Sequence, residues 1–250
     1  MRLEQLLNAS AARVGHKAAI VAGRAAHSYA ELDRKSDRFA AALAGRGIKR
    51  GDRIAVLLDT DFAAVVTTFG VLKAGATLCP VDPAIRADSL ARFLNESGAT
   101  GIVTEARLAS KAAAALAEAC AVKLVVLVGG DRSEAAGNCL SFEDIVGRIE
   151  GAVPMPAGGD RDQAIVLTTA GADAGHHLET FTHSDIVTAS SVAAAREDAV
   201  TVAPASIASQ YGLWQLVTSI GVGATLILAG GAGRSLPARG DLADVRLALA

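Results

Sequence analysis

Short, unbroken apolar runs alternate with amphipathic stretches along most of this 250-residue chain, and that alternation limits the fold more than any other feature. Tyr29 to Arg46 reads as a helix. Leu32, Phe39, Ala40 and Leu43 fall at helical spacing, Ser28 sits at the N-cap with Glu31 three residues on, and Gly47 follows the end. A strand is predicted over Arg53 to Leu58, then a helix over Phe62 to Lys73 closed by Gly75. The rhythm continues with a strand at Ala76 to Val81, stopped by Pro80 and Pro83, and a helix at Asp88 to Ser97 ended by Gly98. Thr100 to Thr104 is the next strand, Ala106 to Cys120 an Ala-rich helix, and Lys123 to Val128 a further strand. Continuously apolar strands separated by helices imply an α/β fold with largely parallel sheets covered on both faces.

Between Gly130 and Asp162 the pattern weakens. Gly137-Asn138, Pro154, Pro156 and Gly158-Gly159 bracket one short helix near Phe142 to Ile149. This stretch, near 130–160, reads as a peripheral linker, so the expected division is a first α/β subdomain over 1–158 and a partial second over 159–250. In the second, strands are expected at Gln163 to Thr169, Ala199 to Ala203 and Ala224 to Leu228, and helices at Ser184 to Arg196 and Tyr211 to Ile220. A loop is expected between the strand ending at Thr169 and the helix beginning at Ser184.

Composition excludes several functions. The net charge is −2 and no extended basic face is expected, which argues against a nucleic-acid partner. Cys79, Cys120 and Cys139 are widely spaced without a CxxC pair, as thiols in a reducing, cytoplasmic setting would be. The start, Met-Arg-Leu-Glu-Gln-Leu-Leu, lacks the apolar core of a secretory signal. Ala199 to Gly233 carries no charge, yet Pro204, Ser206, Ser209, Gln210, Gln215 and several glycines break it, so a buried strand–helix–strand is expected rather than a membrane span.

Several segments then recur in a recognisable order. His27-Ser28-Tyr29-Ala30-Glu31-Leu32-Asp33 is followed by Ala41-Ala42-Leu43-Ala44-Gly45-Arg46-Gly47-Ile48 and Gly51-Asp52-Arg53-Ile54-Ala55-Val56. Val71-Leu72-Lys73-Ala74-Gly75-Ala76 leads to Pro80-Val81-Asp82-Pro83 and Ser97-Gly98-Ala99-Thr100-Gly101-Ile102-Val103-Thr104. Together they resemble the N-terminal region of the AMP-forming acyl-CoA synthetases and adenylation domains, with a weaker extension through Gly223-Ala224-Thr225-Leu226-Ile227-Leu228. The resemblance implies a carboxylate that attacks ATP, giving an acyl-adenylate and pyrophosphate, then acyl transfer to a thiol such as coenzyme A. ATP with magnesium, coenzyme A and a small carboxylate are the ligands it implies.

In that family a loop rich in Gly, Ser and Thr, with a lysine near its end, holds the polyphosphate. Glycines allow close approach, amides and hydroxyls donate, and the lysine offsets the charge. The corresponding stretch here is Thr168-Thr169-Ala170-Gly171-Ala172-Asp173-Ala174-Gly175-His176-His177-Leu178. Thr168, Thr169 and Gly171 keep the outline, and His177 stands where the lysine is expected. Ala170 and Ala172 replace hydroxyl residues, Ala174 a glycine and His176 a proline. Asp173 brings a negative charge towards a polyanion. Two unit charges about 4 Å apart interact by roughly 4 kcal/mol at an effective dielectric of 20, so such a repulsion matters. A neutral His177 donates one hydrogen bond in place of an ammonium.

Four other readings of the residues complete the expectations. Asp173, His176, His177, Glu179 and His183 are metal-competent types, but their spacing lacks the HExxH pattern of a helical zinc site, so no metal is expected. His183 reads as the residue that starts a helix. Tyr211, Gly212 and Trp214 are candidates for a substrate pocket, although core packing is the commoner fate of such aromatics. Gly230-Gly231-Ala232-Gly233 reads as a turn, since no G-x-G-x-x-G match accompanies it. The sequence stops at Ala250, before the family's adenine- and magnesium-binding motifs and its C-terminal domain with the catalytic lysine. The expected function is therefore a truncated, degenerate adenylate-forming homologue, unable to adenylate alone, that binds another copy of itself or a complete ligase. The alternative is an AMP-forming carboxylate–CoA ligase, split or cut, whose remaining motifs lie on another chain.

Overall fold

The computed structural model describes residues 1–130, 139–147, 158–170, 176–191, 196–203 and 206–228. It begins with helix α1 (Leu3–Val14) and the hairpin β1 (Ala18–Ala22) and β2 (Ala25–Ser28), then α2 (Tyr29–Gly45). There follow β3 (Arg53–Leu57), α3 (Phe62–Lys73), β4 (Thr77–Pro80), α4 (Ala87–Ser97) and β5 (Ala99–Glu105). A 3-10 turn at Ala106–Leu108 leads into α5 (Ala109–Leu116), β6 (Leu124–Val128), β7 (Cys139–Ser141) and α6 (Phe142–Gly147). The rest comprises β8 (Gln163–Ala170), β9 (His176–Thr182), α7 (His183–Ser191), β10 (Val200–Ala203), α8 (Gln210–Val222) and β11 (Thr225–Leu228).

The strands form a seven-stranded sheet in the order β7-β6-β5-β3-β4-β8-β9 and a four-stranded sheet in the order β10-β11-β1-β2. All neighbours in the larger sheet run parallel except β8 and β9. In the smaller sheet β1 and β10 are parallel to β11, and β1–β2 is antiparallel. Both sheets draw strands from either side of residue 158.

The side-chain alternation of β3 shows how the layers are built. Ile54, Val56 and Leu58 belong to one buried cluster, and Ala55 and Leu57 to another. Successive residues of a strand point to opposite faces, so both faces of β3 are dry. On one side α4 and α5 close the smaller cluster through Leu90, Phe93, Leu94, Ala112 and Ala115. On the other, α1, α2, α3 and α8 share the larger cluster with strands of both sheets. Helix α3 is buried from Ala64 through Lys73, as expected of a helix that is apolar nearly all round. Its Gly70 lets α2 approach: a Cβ there would lie 2.7 Å from the Phe39 ring.

The quoted sequence segments meet at this junction. Lys73, 2% exposed, places its ammonium 2.6 Å from both the Asp33 and the Asp37 carboxylates of α2. Gly51 donates its amide to the Gly75 carbonyl, and Thr77 to that of Asp52. The buried Tyr29 hydroxyl donates to the Ala224 carbonyl at 2.5 Å, tying α2 to the start of β11. Ser28 caps α2 by accepting from the Glu31 amide at 3.1 Å. The Glu31 carboxylate does not return to the cap, as a capping box requires; it turns instead to Lys35 and His27, at 2.7 and 3.2 Å.

The structure departs from the sequence expectations at a few elements. Residues expected to form a loop after β8 form β9, a strand paired to β8 from Gln163↔Thr182 to Ala170↔His176. The Ala-rich helix ends at Leu116 rather than Cys120, because alanine favours helix without specifying an end. Pro80 is the last residue of β4, within the strand expected over Ala76 to Val81. There it pairs with Val56, while β8 meets β4 only at Leu78↔Ile165 and asks nothing of the missing N–H. Elements α1, β1, β2 and β7 were not foreseen. No helix among the described residues is long and apolar enough to cross a membrane.

Candidate functional site

Strand β8 is the apolar run Ala164-Ile165-Val166-Leu167 continued by Thr168-Thr169-Ala170, and β9 returns beside it from His176. Residues 171–175, including the expected site residue Gly171 and the acidic Asp173, lie outside the described residues. The register pairs Thr169 with His177 and Thr168 with Leu178. Thr169 donates its hydroxyl to the His177 carbonyl at 3.4 Å. Because the strand is regular through Ala170, Thr168 and Thr169 point to opposite faces of the sheet. Thr168 shares a face with Val166 and with Leu178, which packs against the smaller core. Thr169 and His177 share the other. The structure thus brings two of the expected residues together and turns the third away.

Electrostatics at this hairpin run against a polyanion. From Gln163 to His183 the sequence holds no Lys or Arg, while Asp173 and Glu179 are acidic. The exposed Asp185 carboxylate, just beyond, accepts the Thr182 amide and hydroxyl at 2.8 Å each, which holds it below the usual carboxylate range. No Lys or Arg of this segment is available to offset the charge of a polyphosphate. The described residues contain no group of three or more His, Cys, Asp or Glu able to hold a metal ion.

The other candidates sit on α8. Ser209 caps this helix by accepting from the Gly212 amide at 3.1 Å, and Thr60 anchors its approach by accepting from Ile207 at 3.1 Å. Gly212 is required by packing, since a Cβ would run into the Ser206 carbonyl oxygen. Trp214 is half-buried and meets Phe181 of β9 edge-to-face, with centroids 5.2 Å apart and planes at 82°. Tyr211 is 66% exposed. The indole is thereby committed to bracing α8 against the edge of the larger sheet, one turn from an aromatic ring that faces solvent.

Sequence reasoning did not find the partners of His183. This residue starts α7 and is 1% exposed, and its Nδ1 accepts the Leu3 amide at 3.1 Å. Burial first, and then the Arg2 guanidinium, push its pKa down to about 4. Beside it the Glu4 carboxylate, fully buried, lies 3.6 Å from the ring and 2.8 Å from Arg2. Burial raises the Glu4 pKa. Only a helix start was legible here; the partners lie about 180 residues away in sequence.

Comparison with known proteins places this architecture. The family model described as AMP-binding enzyme matches residues 7–246. The chain belongs to the AMP-binding enzyme family. A salicyl-AMP ligase / salicyl-S-ArCP synthetase from Mycobacterium tuberculosis is 33% identical over 173 residues, covering 66% of this chain and 29% of that protein. The apo structure of MbtA from Mycobacterium smegmatis superposes with a TM-score of 0.84 at 27% identity, over 98% of this chain and 46% of that one. An anthranilate CoA ligase, AuaEII, in complex with anthranoyl-AMP shares the fold with a TM-score of 0.85 at 18% identity, over 93% and 45% of the two chains. The chain thus spans about half the length of these solved structures and under a third of the curated ligase. The fold is that of the solved AMP-forming ligases it superposes on.

Proposed function

We propose that this chain is an adenylate-forming scaffold whose β8–β9 hairpin has lost its grip on polyphosphate, and that by itself it serves as a binding or partner protein rather than as an ATP-consuming ligase. The observation that carries the reading is the absence of any Lys or Arg between Gln163 and His183, in a hairpin whose two threonines face opposite ways. Polyphosphate recognition draws on converging donors and at least one offsetting cation. Here the converging pair is one hydroxyl and one imidazole. For the partner role, the support is an edge: among the described residues β10 is the outer strand of its sheet, and it exposes Val200 and Val202. A second copy or a complete ligase is the proposed occupant. A cytoplasmic setting belongs to the same proposal and is supported by the thiols of Cys79 and Cys120, neither of which is held in a disulfide.

A second reading has one observation in its favour. The 33% identity to a salicyl-AMP ligase extends over 173 residues, which suits an AMP-forming carboxylate ligase whose remaining motifs are supplied elsewhere. It would activate a small carboxylate with ATP and magnesium and pass the acyl group to a thiol such as coenzyme A. Isothermal calorimetry with Mg-ATP separates the two readings, using wild type and the double variant Asp173→Thr, His177→Lys. No heat from the wild type, with binding gained by the double variant, is the expected result. Micromolar binding by the wild type would defeat the first reading and bring the ligase forward.

A further inference from the structure

A cavity lies at the end of the larger sheet where β3, β5 and β6 begin, opposite the C-terminal end of β8. It occupies about 360 Å³ and is lined by Arg46, Lys49, Asp52 and Lys123 together with Gly47, Ile48, Thr100 and Leu124. These residues come from the C-terminal end of α2, the turn into β3, and the first residues of β5 and β6. Thr100 and Leu124 lie in strands, and the other lining residues belong to the short connections that enter β3 and β6.

The charges of this cavity are unspent. The neighbouring Arg50 is engaged by the Asp162 carboxylate at 2.6 and 2.9 Å, and Arg53 donates to the Ser97 carbonyl and to Gln163. Arg46, Lys49 and Lys123 form no ion pair among the described residues, and their side chains are exposed to the hollow. The only carboxylate in the lining, Asp52, has an oxygen turned to the Lys49 amide at 2.7 Å. Three cations against one carboxylate leave two positive charges with nothing opposite them. The end of α2 adds a further reason for cations to gather, because its carbonyls carry the negative pole of the helix. One cation would satisfy that need; a ring of three around a hollow exceeds it.

We infer that this cavity is a binding site for a compact, multiply charged phosphate-class anion, held by Arg46, Lys49 and Lys123 and separate from the hairpin. Arg46 supplies a planar fork that suits two oxygens of one phosphoryl group, and the two lysines act as point charges around it. The lining amides of Ile48, Lys49, Asp52 and Lys123 are already used within the protein, so recognition rests on the three side chains. A carboxylate ligand would present fewer oxygens to a guanidinium and two ammonium groups at this size, which favours the phosphoryl group.

The test is an NMR titration of the ¹⁵N-labelled full chain with inorganic pyrophosphate, at ionic strength held constant with sodium chloride. Saturable shifts should appear at the amides of residues 46–49, 100 and 123–124. Arg46→Met and Lys123→Met should each weaken the affinity roughly fivefold, as expected for losing one partly screened charge contact. Both positions are exposed, and dispersion of the variant spectra verifies their fold. Absence of shifts in the wild type would overturn the site, as would an affinity that neither substitution changes. Citrate binding as tightly as pyrophosphate would overturn the phosphate assignment. Shifts confined to the β8–β9 hairpin would overturn this site and count separately against the hairpin reading above.

Discussion

The ring of His183 can satisfy its surroundings only while it is neutral. Its Nδ1 accepts the Leu3 amide, so its proton sits on Nε2, and a second proton would place N–H against N–H at the first turn of α1. Burial and Arg2 oppose that proton as well, with a pKa near 4. The sign of the pH effect follows. A histidine whose pKa falls on folding binds its proton more readily when unfolded, so stability is full above the unfolded value of about 6.5 and is lost as pH falls towards 4. The full loss would approach about 3 kcal/mol. Glu4 works in the other direction, because its raised pKa relieves an unfavourable buried charge as pH falls. His183→Asn keeps an acceptor for the Leu3 amide and removes the titration, with Glu4 present in both proteins. Urea midpoints measured between pH 7.5 and 4.5 should fall less in the variant than in the wild type. Parallel decline of the two would mean that His183 does not govern acid stability.

Helices α2 and α3 are fastened by both shape and charge. Gly70 admits the Phe39 ring, and Lys73 gathers Asp33 and Asp37 at the end of the same contact. Lys73→Met keeps most of the apolar stem but leaves two carboxylates side by side without their cation. The expected cost is about 3 kcal/mol, read as a lower urea midpoint with an unchanged m-value; a loss within 0.5 kcal/mol, roughly the level of an ordinary surface substitution, would show that the ammonium is not holding the helices. This junction also marks what the sequence could tell. The segments 27–33 and 71–76 were readable as turns and helix ends because Ser28, Gly75 and the apolar spacing are local signals. That Lys73 reaches back to Asp33 was not, since nothing local pairs them. Helix α1 escaped notice because Glu4 and Ser10 are buried on the face where apolar residues would have announced it. Strand β9 escaped because His-His-Leu-Glu-Thr-Phe-Thr has no continuous apolar run; its conformation comes from pairing with β8. The missing cation of the hairpin was legible in the residues alone. The opposed directions of Thr168 and Thr169 became evident only once the strand was seen to extend through Ala170.

The molecule as a whole presents two unequal sheets that share a helical layer, and among the described residues the smaller sheet ends on an exposed edge strand. Among the described residues β10 pairs only with β11, and on its outer side Val200 and Val202 are 48% and 37% exposed. Residues two apart on a strand share a face, so the two valines form one apolar strip beside an unpaired backbone edge. The Gln215 amide already donates to the Val202 carbonyl at 2.8 Å, and no Lys or Pro blunts the strand itself. An edge of this kind favours pairing with a second copy, and two-fold pairing would bury the strips against each other. The partner reading therefore predicts concentration-dependent self-association of the isolated chain in analytical ultracentrifugation. Val200→Lys with Val202→Lys should shift it to monomer without loss of helical signal, because both side chains already face solvent. A wild type that sediments as a monomer throughout the accessible range would remove the edge from consideration as a self-docking surface. Association that survives the double lysine substitution would place the contact elsewhere on the molecule.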